Sequence, residues 1–354
     1  MIIFLNESML KTAFYILILL GTGPNLSGQS IMESSTFKFL NIPGSARHNY
    51  LGKSAIATPD EHIDLVLANP ALLEFSSKGK LMATSSLYFQ SLYGHLAYSM
   101  NNYKFDIPYV VGVNFISYGA QRRIDQDGNE MGTINPNEIS AYIAASKTYE
   151  HYKFGATVKL AYANYVVANM LGTTLDLSML YRDDERQIYA TLLLKNIGYQ
   201  FIADRTQTNM TPFDIQIGFS KKFARNPLRI SIVAQELYQW NAATTTEKGR
   251  GYGLWPQNNL YRLSDPSIIS AIMSHLIFGV EVNLGQSFKM GVNYDVKKGM
   301  ENSFEVMRGL TGLGLGFGIY TRKFDIGYSF SRFGPIGINH TFTYTMKMSE
   351  WLRR

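Results

Sequence analysis

Between residues 311 and 348 the chain alternates apolar residues with polar residues or glycine almost without a break. Leu313, Leu315, Phe317 and Ile319 share one face of an extended strand, and Gly312, Gly314, Gly316 and Gly318 share the other. After Thr321 and Arg322, Phe324, Ile326, Tyr328 and Phe330 alternate with Lys323, Asp325, Gly327 and Ser329. Phe342, Tyr344, Met346 and Met348 then alternate with Thr341, Thr343, Thr345 and Lys347. A period of two places successive side chains on opposite faces, so these segments are β-strands with one apolar face. Strands with one greasy and one polar face suit a wall between lipid and a watery lumen.

The pattern recurs upstream. Phe213, Ile215, Ile217 and Phe219 alternate with Asp214, Gln216, Gly218 and Ser220, and Phe288, Met290, Val292 and Tyr294 with Lys289, Gly291, Asn293 and Asp295. Residues 275–284 follow suit, except that Ile277 interrupts the polar set formed by His275, Gly279, Glu281 and Asn283. Strands are predicted at 79–90, 92–100, 107–118, 138–148, 154–164, 171–181, 187–195, 213–222, 228–237, 275–284, 288–296, 311–320, 323–330 and 339–348. The connections alternate in length, short at 101–106, 149–153, 182–186, 223–227, 285–287 and 321–322, longer at 119–136, 166–170, 196–212, 238–274, 297–310 and 331–338. Only the turn at Ser91 breaks the order. Membrane barrels have short periplasmic turns and longer external loops, and an even strand number puts both chain ends on the periplasmic side. A charged side chain on the lipid face costs about 2–4 kcal/mol at the bilayer midplane, and none of these apolar sets contains one. Tyr162, Tyr181, Tyr294 and Tyr344 fall near strand ends, where an interfacial girdle belongs. A soluble β-sandwich also alternates, but this many strands exceeds one ordinary sandwich. The expected fold is all-β, a transmembrane antiparallel β-barrel of about 14 strands.

Composition supports the class. The chain has 354 residues, no cysteine, 17% charged residues and a net charge of +6, with no basic run that reads as a nucleic-acid arm. The absence of cysteine excludes disulfides, thiolate chemistry and a lipidated N-terminal cysteine. Mean hydropathy is −0.08, as expected when two opposite faces are averaged.

The domain reading has four parts. Residues 1–28 resemble an export signal: Lys11 precedes an apolar run that ends before Gly21, too short to span a bilayer as a helix. Met9 makes a tidier signal start than Met1. Residues 29–78 form an N-terminal plug segment, 79–348 the barrel with an external insertion at 238–274, and 349–354 a tail. In the plug, residues 36–40 read as a short strand, 41–47 as a turn and 60–67 as a short helix closed by Asn69, Pro70 and Ala71, since a proline disfavours helix at the residue before it. A lumen of this size is not filled by side chains alone. The glycine row 312–318 either lets other backbone approach the inner wall or relieves crowding in a bent sheet.

Chemical motifs are lacking. No G-x-S-x-G elbow, P-loop or H-E-x-x-H occurs, and His48, His62, His95, His151, His275 and His340 have no metal-ligand spacing. Asp183, Asp184 and Glu185 form an acidic turn with too few ligands for calcium. No enzyme, metal site or cofactor is expected. The loop 238–274 carries Trp240, Tyr252, Trp255 and Tyr261 among Gly, Asn and Thr, followed by Ser264, Asp265 and Pro266 at the start of a helix reaching about His275. Aromatics of this kind anchor protein interfaces; the same loop could instead fold as a lid over the barrel mouth.

Asn69-Pro70-Ala71 ahead of such a barrel resembles the FadL-type outer-membrane proteins. Longer stretches are similar to the PorV/FadL-like barrels of the Bacteroidetes type IX secretion system: residues 35–47, 195–198, 212–222, 227–231, 237–240 and 275–281, together covering Ser35 to Met348 in order. That resemblance implies a multi-pass protein of the Gram-negative outer membrane. It also implies a non-enzymatic scaffold of a surface attachment complex, with PorZ as nearest partner and PorU and PorV nearby. The chain departs from many outer-membrane barrels in continuing past its last strand to Arg354 rather than ending on an aromatic. The alternative function is a FadL-like channel for hydrophobic small molecules.

Overall fold

The structure, a computed structural model, describes residues 36–88, 91–124, 130–165, 168–202, 211–238, 268–285, 287–301, 311–332 and 338–352. Sixteen strands follow in chain order: β1 (Lys80–Tyr88), β2 (Ser91–Asn102), β3 (Ile107–Ser117), β4 (Gln121–Ile124), β5 (Glu130–Ile134), β6 (Asn137–Tyr149), β7 (Tyr152–Tyr165), β8 (Ala168–Asp183), β9 (Ile188–Ile202), β10 (Asp214–Lys222), β11 (Leu228–Ala234), β12 (Leu276–Leu284), β13 (Phe288–Asp295), β14 (Leu313–Tyr320), β15 (Phe324–Ser331) and β16 (Asn339–Lys347). All but β4 and β5 form one closed antiparallel ring in sequence order, sealed by the β1–β16 ladder that pairs Lys80 with Lys347 and Tyr88 with Asn339. The ring strands are the fourteen expected from the alternation. The hairpin β4–β5 was not expected and stands outside the ring, within the long connection after β3.

Burial shows which face is which. On β7, Phe154, Val158 and Leu160 are about half exposed while Thr157 and Lys159 are buried; on β8, Leu177 and Met179 are exposed while Asp176 is buried. Exposed large apolar residues paired with buried charge invert the arrangement of a soluble protein. The ring has no free edge strand because the sheet closes, so each of its strands is paired on both sides. Charged outward residues among the described residues of the ring strands come only at the short-turn ends, at Lys147, Asp183 and Lys221. This is the apolar band of a barrel built to sit in hydrocarbon.

Residues 36–78 occupy the interior. A helix, α1 (Ala46–Leu51), packs against β12 to β16, and the 3₁₀ turns after it touch β1, β2, β3 and β6 to β13. A segment in contact with every strand of a closed ring, on the buried faces, is enclosed by it. The segment threads the lumen from end to end. Thr36 Oγ1 bonds Gln200 beside the long connection after β9, whereas Gly79 N bonds Ser99 O at the short-turn end. The barrel's two ends thus lie at the short-turn side as expected, but the first described residues lie at the opposite mouth.

Several local expectations fail inside the lumen. Residues 38–41 form a 3₁₀ turn, not a strand, after Phe37 in the left-handed region (φ 58°). The helix falls at 46–51, overlapping the end of the turn expected over 41–47, because Ser45 caps it by accepting His48 N–H. Residues 60–67 contain only the turn Ile63–Leu65. Side-chain bonds to the wall, not helix propensity, decide these conformations. β9 continues past residue 195 through an irregularity opposite Leu175–Leu177, so the connection after it is shorter than expected. Short helices also occur at Ile268–Ser274, Val296–Glu301 and Met348–Leu352.

Candidate functional site

The lumen is the space the closed ring encloses, and its geometry is set by how residues 36–78 dock. Three apolar clusters join the segment to the wall. Phe37, Phe39 and Leu40 pack with Tyr93, Ile116 and Met170 near the long-loop mouth. Tyr50, Leu51, Ile56, Leu65 and Leu72 pack with Leu180, Tyr189, Leu193 and Val233. Ile63, Val66 and Leu73 pack with Met82, Val110 and Tyr142. The inward set is therefore not uniformly polar. Ile277, which interrupts the polar alternation on β12, points inward and is buried.

Asn69, Pro70 and Ala71 each have a physical role. Asn69 caps the turn Pro70–Leu72: its Oδ1 accepts Ala71 N–H at 2.9 Å, while Nδ2 donates to Ile56 O at 2.7 Å and to Thr191 Oγ1 at 3.0 Å. An aspartate could cap but could not donate. Pro70 takes the first position, where a missing N–H leaves nothing unsatisfied. Ala71 lies with its backbone against Gly155 of β7, and a Cβ at Gly155 would collide with the Ala71 nitrogen. Gly316 has the same purpose on β14, where a Cβ would sit 2.6 Å from the Tyr50 ring. In the glycine row both roles occur: Gly314 and Gly316 face Asn49 O and the Tyr50 ring of the enclosed segment, whereas Gly318 relieves crowding against Tyr320 of its own strand.

Charge fills the other half of the lumen. Arg47 on α1 donates to Glu281 through Nε (2.9 Å) and Nη2 (3.1 Å), pairs with Asp60, and lies 3.5 Å from Asp64. Lys289 reaches Asp60 at 2.7 Å, Arg229 lies 3.7 Å from Glu281, and the Tyr50 and Tyr320 hydroxyls bond Glu281 and Asp64. Elsewhere Lys53 pairs with Asp214 (2.9 Å), and Glu74 with Lys153 (2.9 Å) and Arg182 (2.5 Å). Burial alone would lower the Arg47 pKa, but Asp60, Glu281 and Asp64 raise it above its ordinary value. Against burial, Arg47 and Lys289 hold Asp60 well below the usual carboxylate range, whereas burial pushes Asp64 up. These residues were not singled out in the sequence. The only signal was the presence of Glu281 and Lys289 in the polar sets of adjacent strands.

Two small cavities lie between the described residues of the segment and the wall. A cavity beside Arg47, Asp64 and Tyr320 has a volume of about 10 Å³, and one beside His48, Lys53 and Asn293 about 50 Å³. Small-molecule pockets are about 300–1,000 Å³. Among the described residues no group of His, Asp or Glu could hold a metal ion. His275 is buried with Nδ1 2.8 Å from Gln235 O, and Asp183 and Asp184 lie on a turn paired with Arg186 and Arg182. Trp240, Tyr252, Trp255 and Tyr261, like residues 1–28, lie outside the described residues.

No family model matches this chain, and no curated protein is similar to it. Solved structures are. The crystal structure of the Pseudomonas putida toluene transporter TodX matches 86% of this chain and 98% of its own, with a TM-score of 0.51 and 10% identity. The fold is a FadL-like barrel. The Ralstonia pickettii toluene transporter TbuX covers 88% of this chain and 100% of its own (TM-score 0.47, 13% identity). The monoaromatic hydrocarbon channel CymD covers 86% and 98% (TM-score 0.49, 11% identity).

Proposed function

We propose that this chain is a non-enzymatic outer-membrane barrel that admits hydrophobic small molecules, with residues 36–78 as its plug. One observation carries the reading: an enclosed segment fills a closed ring whose fold extends over nearly the whole length of TodX, a toluene transporter. Transport through such a barrel requires the segment to shift. Because the chain has no cysteine, a lock can be built cleanly. The Ala46 Cβ lies 3.1 Å from where a Gly327 Cβ would be, so a shift of about 0.4 Å apart brings the pair into the Cβ–Cβ range of a disulfide, about 3.5–4.5 Å. In cells carrying Ala46→Cys/Gly327→Cys, uptake of labelled toluene should stop on oxidation and return on reduction. Uptake that ignores the cross-link, or that is equal in cells lacking the protein, would defeat the proposal.

A second reading is favoured by the small volume, about 10 and 50 Å³, of the two cavities beside Arg47 and His48 among the described residues. A barrel whose plug never moves would serve as a scaffold, in line with the resemblance to PorQ of the type IX system, with PorZ as nearest partner and PorU and PorV in the same complex. Trp240, Tyr252, Trp255 and Tyr261 would then be the docking residues. Purification in mild detergent should recover those surface proteins, and deleting residues 241–262 should abolish the recovery while the barrel still assembles. Isolation of the barrel alone would end the scaffold reading.

A further inference from the structure

The outward wall carries two apolar grooves of nearly equal size, one of about 490 Å³ across β6 to β9 and one of about 480 Å³ across β12 to β15. The first exists because Ala145 and Ala156, directly opposed in the β6–β7 ladder, are too small to fill the space between Phe154, Leu177 and Leu192. Its floor is thinned further by Gly155, whose side chain is excluded by Ala71 on the lumen side. The second is a hollow between Phe288, Phe317 and Phe330.

Charge separates them. No ionised side chain lines the second groove, whereas Lys147 lines the first, at its short-turn end. Lys147 opposes Phe154 and faces outward. Its Nζ donates to the carbonyls of Phe105 (2.7 Å) and Asp106 (3.1 Å) and lies 3.2 Å from the Asp106 carboxylate. Lys147 and Asp106 side chains are 48% and 72% exposed, so their pairing is worth little and exchanges readily for other partners. An accessible cation and anion at the end of an apolar groove, on a wall facing hydrocarbon, match the phosphate and ammonium of a phosphoethanolamine headgroup above an acyl chain.

We propose that the β6–β9 groove binds one phosphatidylethanolamine molecule from the leaflet on the short-turn side. Its acyl chain lies over Ala145 and Ala156, its phosphate meets Lys147 and its ammonium meets Asp106. The β12–β15 groove, whose lining holds no ionised side chain, retains none. This goes beyond the transport reading and rests only on the barrel standing in a membrane.

The test is native mass spectrometry of the full chain in detergent micelles with added palmitoyl-oleoyl phosphatidylethanolamine. The wild type should retain one lipid. Ala156→Trp, which fills the groove from outside without touching the lumen, should weaken retention at least about a hundredfold, since each buried methylene contributes. Lys147→Ala should weaken it about tenfold, the scale of one lost charge-assisted hydrogen bond. Val292→Trp, in the second groove, should leave it unchanged. Equal retention by Ala156→Trp, equal loss in Val292→Trp, or equally tight binding of palmitate would each overturn the proposal. Heat-modifiable migration of every variant in electrophoresis confirms that the barrel has folded. Failure to insert into liposomes counts against the membrane reading, whereas a folded, inserted barrel that retains no lipid counts against the groove alone.

Discussion

The wall and the segment it encloses are made in opposite ways. Each ring strand pairs with its neighbours in sequence, and its side chains follow one rule of alternation, apolar out and mostly polar in. Residues 36–78 have no ladder and little regular structure; their partners lie as far away as Glu281 for Arg47 and Ser329 for Asn49. The wall is therefore specified locally and repeatedly, the segment by single long-range contacts. Loss of one contact should accordingly release the segment while leaving the ring intact.

The largest test of that contrast is Arg47→Met. It leaves Glu281 with only Arg229 at 3.7 Å and Asp60 with only Lys289 as ion-pair partners among the described residues, and removing one partner of a buried ion pair costs about 3–5 kcal/mol. The midpoint of urea-induced release of residues 36–78, read by protease cleavage within them, should fall sharply while heat-modifiable migration persists. Simultaneous loss of both would show that wall and segment form one cooperative unit. Gly316→Val comes next. Its side chain meets Tyr50 and the Tyr328 carbonyl, each 2.6 Å from the Cβ, and overpacking of this kind costs about 1–3 kcal/mol. The double variant Gly316→Val/Tyr50→Ala should recover part of the loss; no recovery would place the strain in the wall rather than at the segment.

Acid gives a smaller, graded effect. Burial, with Lys195 and His95 nearby, holds the His48 imidazole well below its ordinary value of 6.5. The released segment then binds a proton that the docked one refuses, so docking weakens as pH falls below 6.5. Asp60, depressed from 3.8, adds loss of the same sign as pH falls through its folded value; Asp64, raised by burial, acts oppositely. A nitroxide at Glu61→Cys should gain mobility from pH 7 to pH 5 in the parent, and His48→Gln should flatten that response. Smallest of all is Arg122→Ala on the exposed β4–β5 hairpin, whose pair with Glu130 lies clear of both regions. It should change stability by no more than about 0.5 kcal/mol, and a larger shift would mean that the hairpin touches one of them.

From the residues alone, period-two alternation in 311–348 and its upstream copies determined the strands, their order, the outward face and the closed antiparallel barrel, because a strand's two faces are written in consecutive residues. Asn69, Pro70 and Ala71 read in the sequence as the close of a helix over 60–67, whereas they open the turn Pro70–Leu72, and nothing in them points to Gly155 or Thr191. The tertiary structure alone decided that Ala46–Leu51 is the helix and that Arg47 meets Glu281. Those outcomes depend on which side chains a closed ring brings within a few ångströms across its lumen, and no local period encodes that distance.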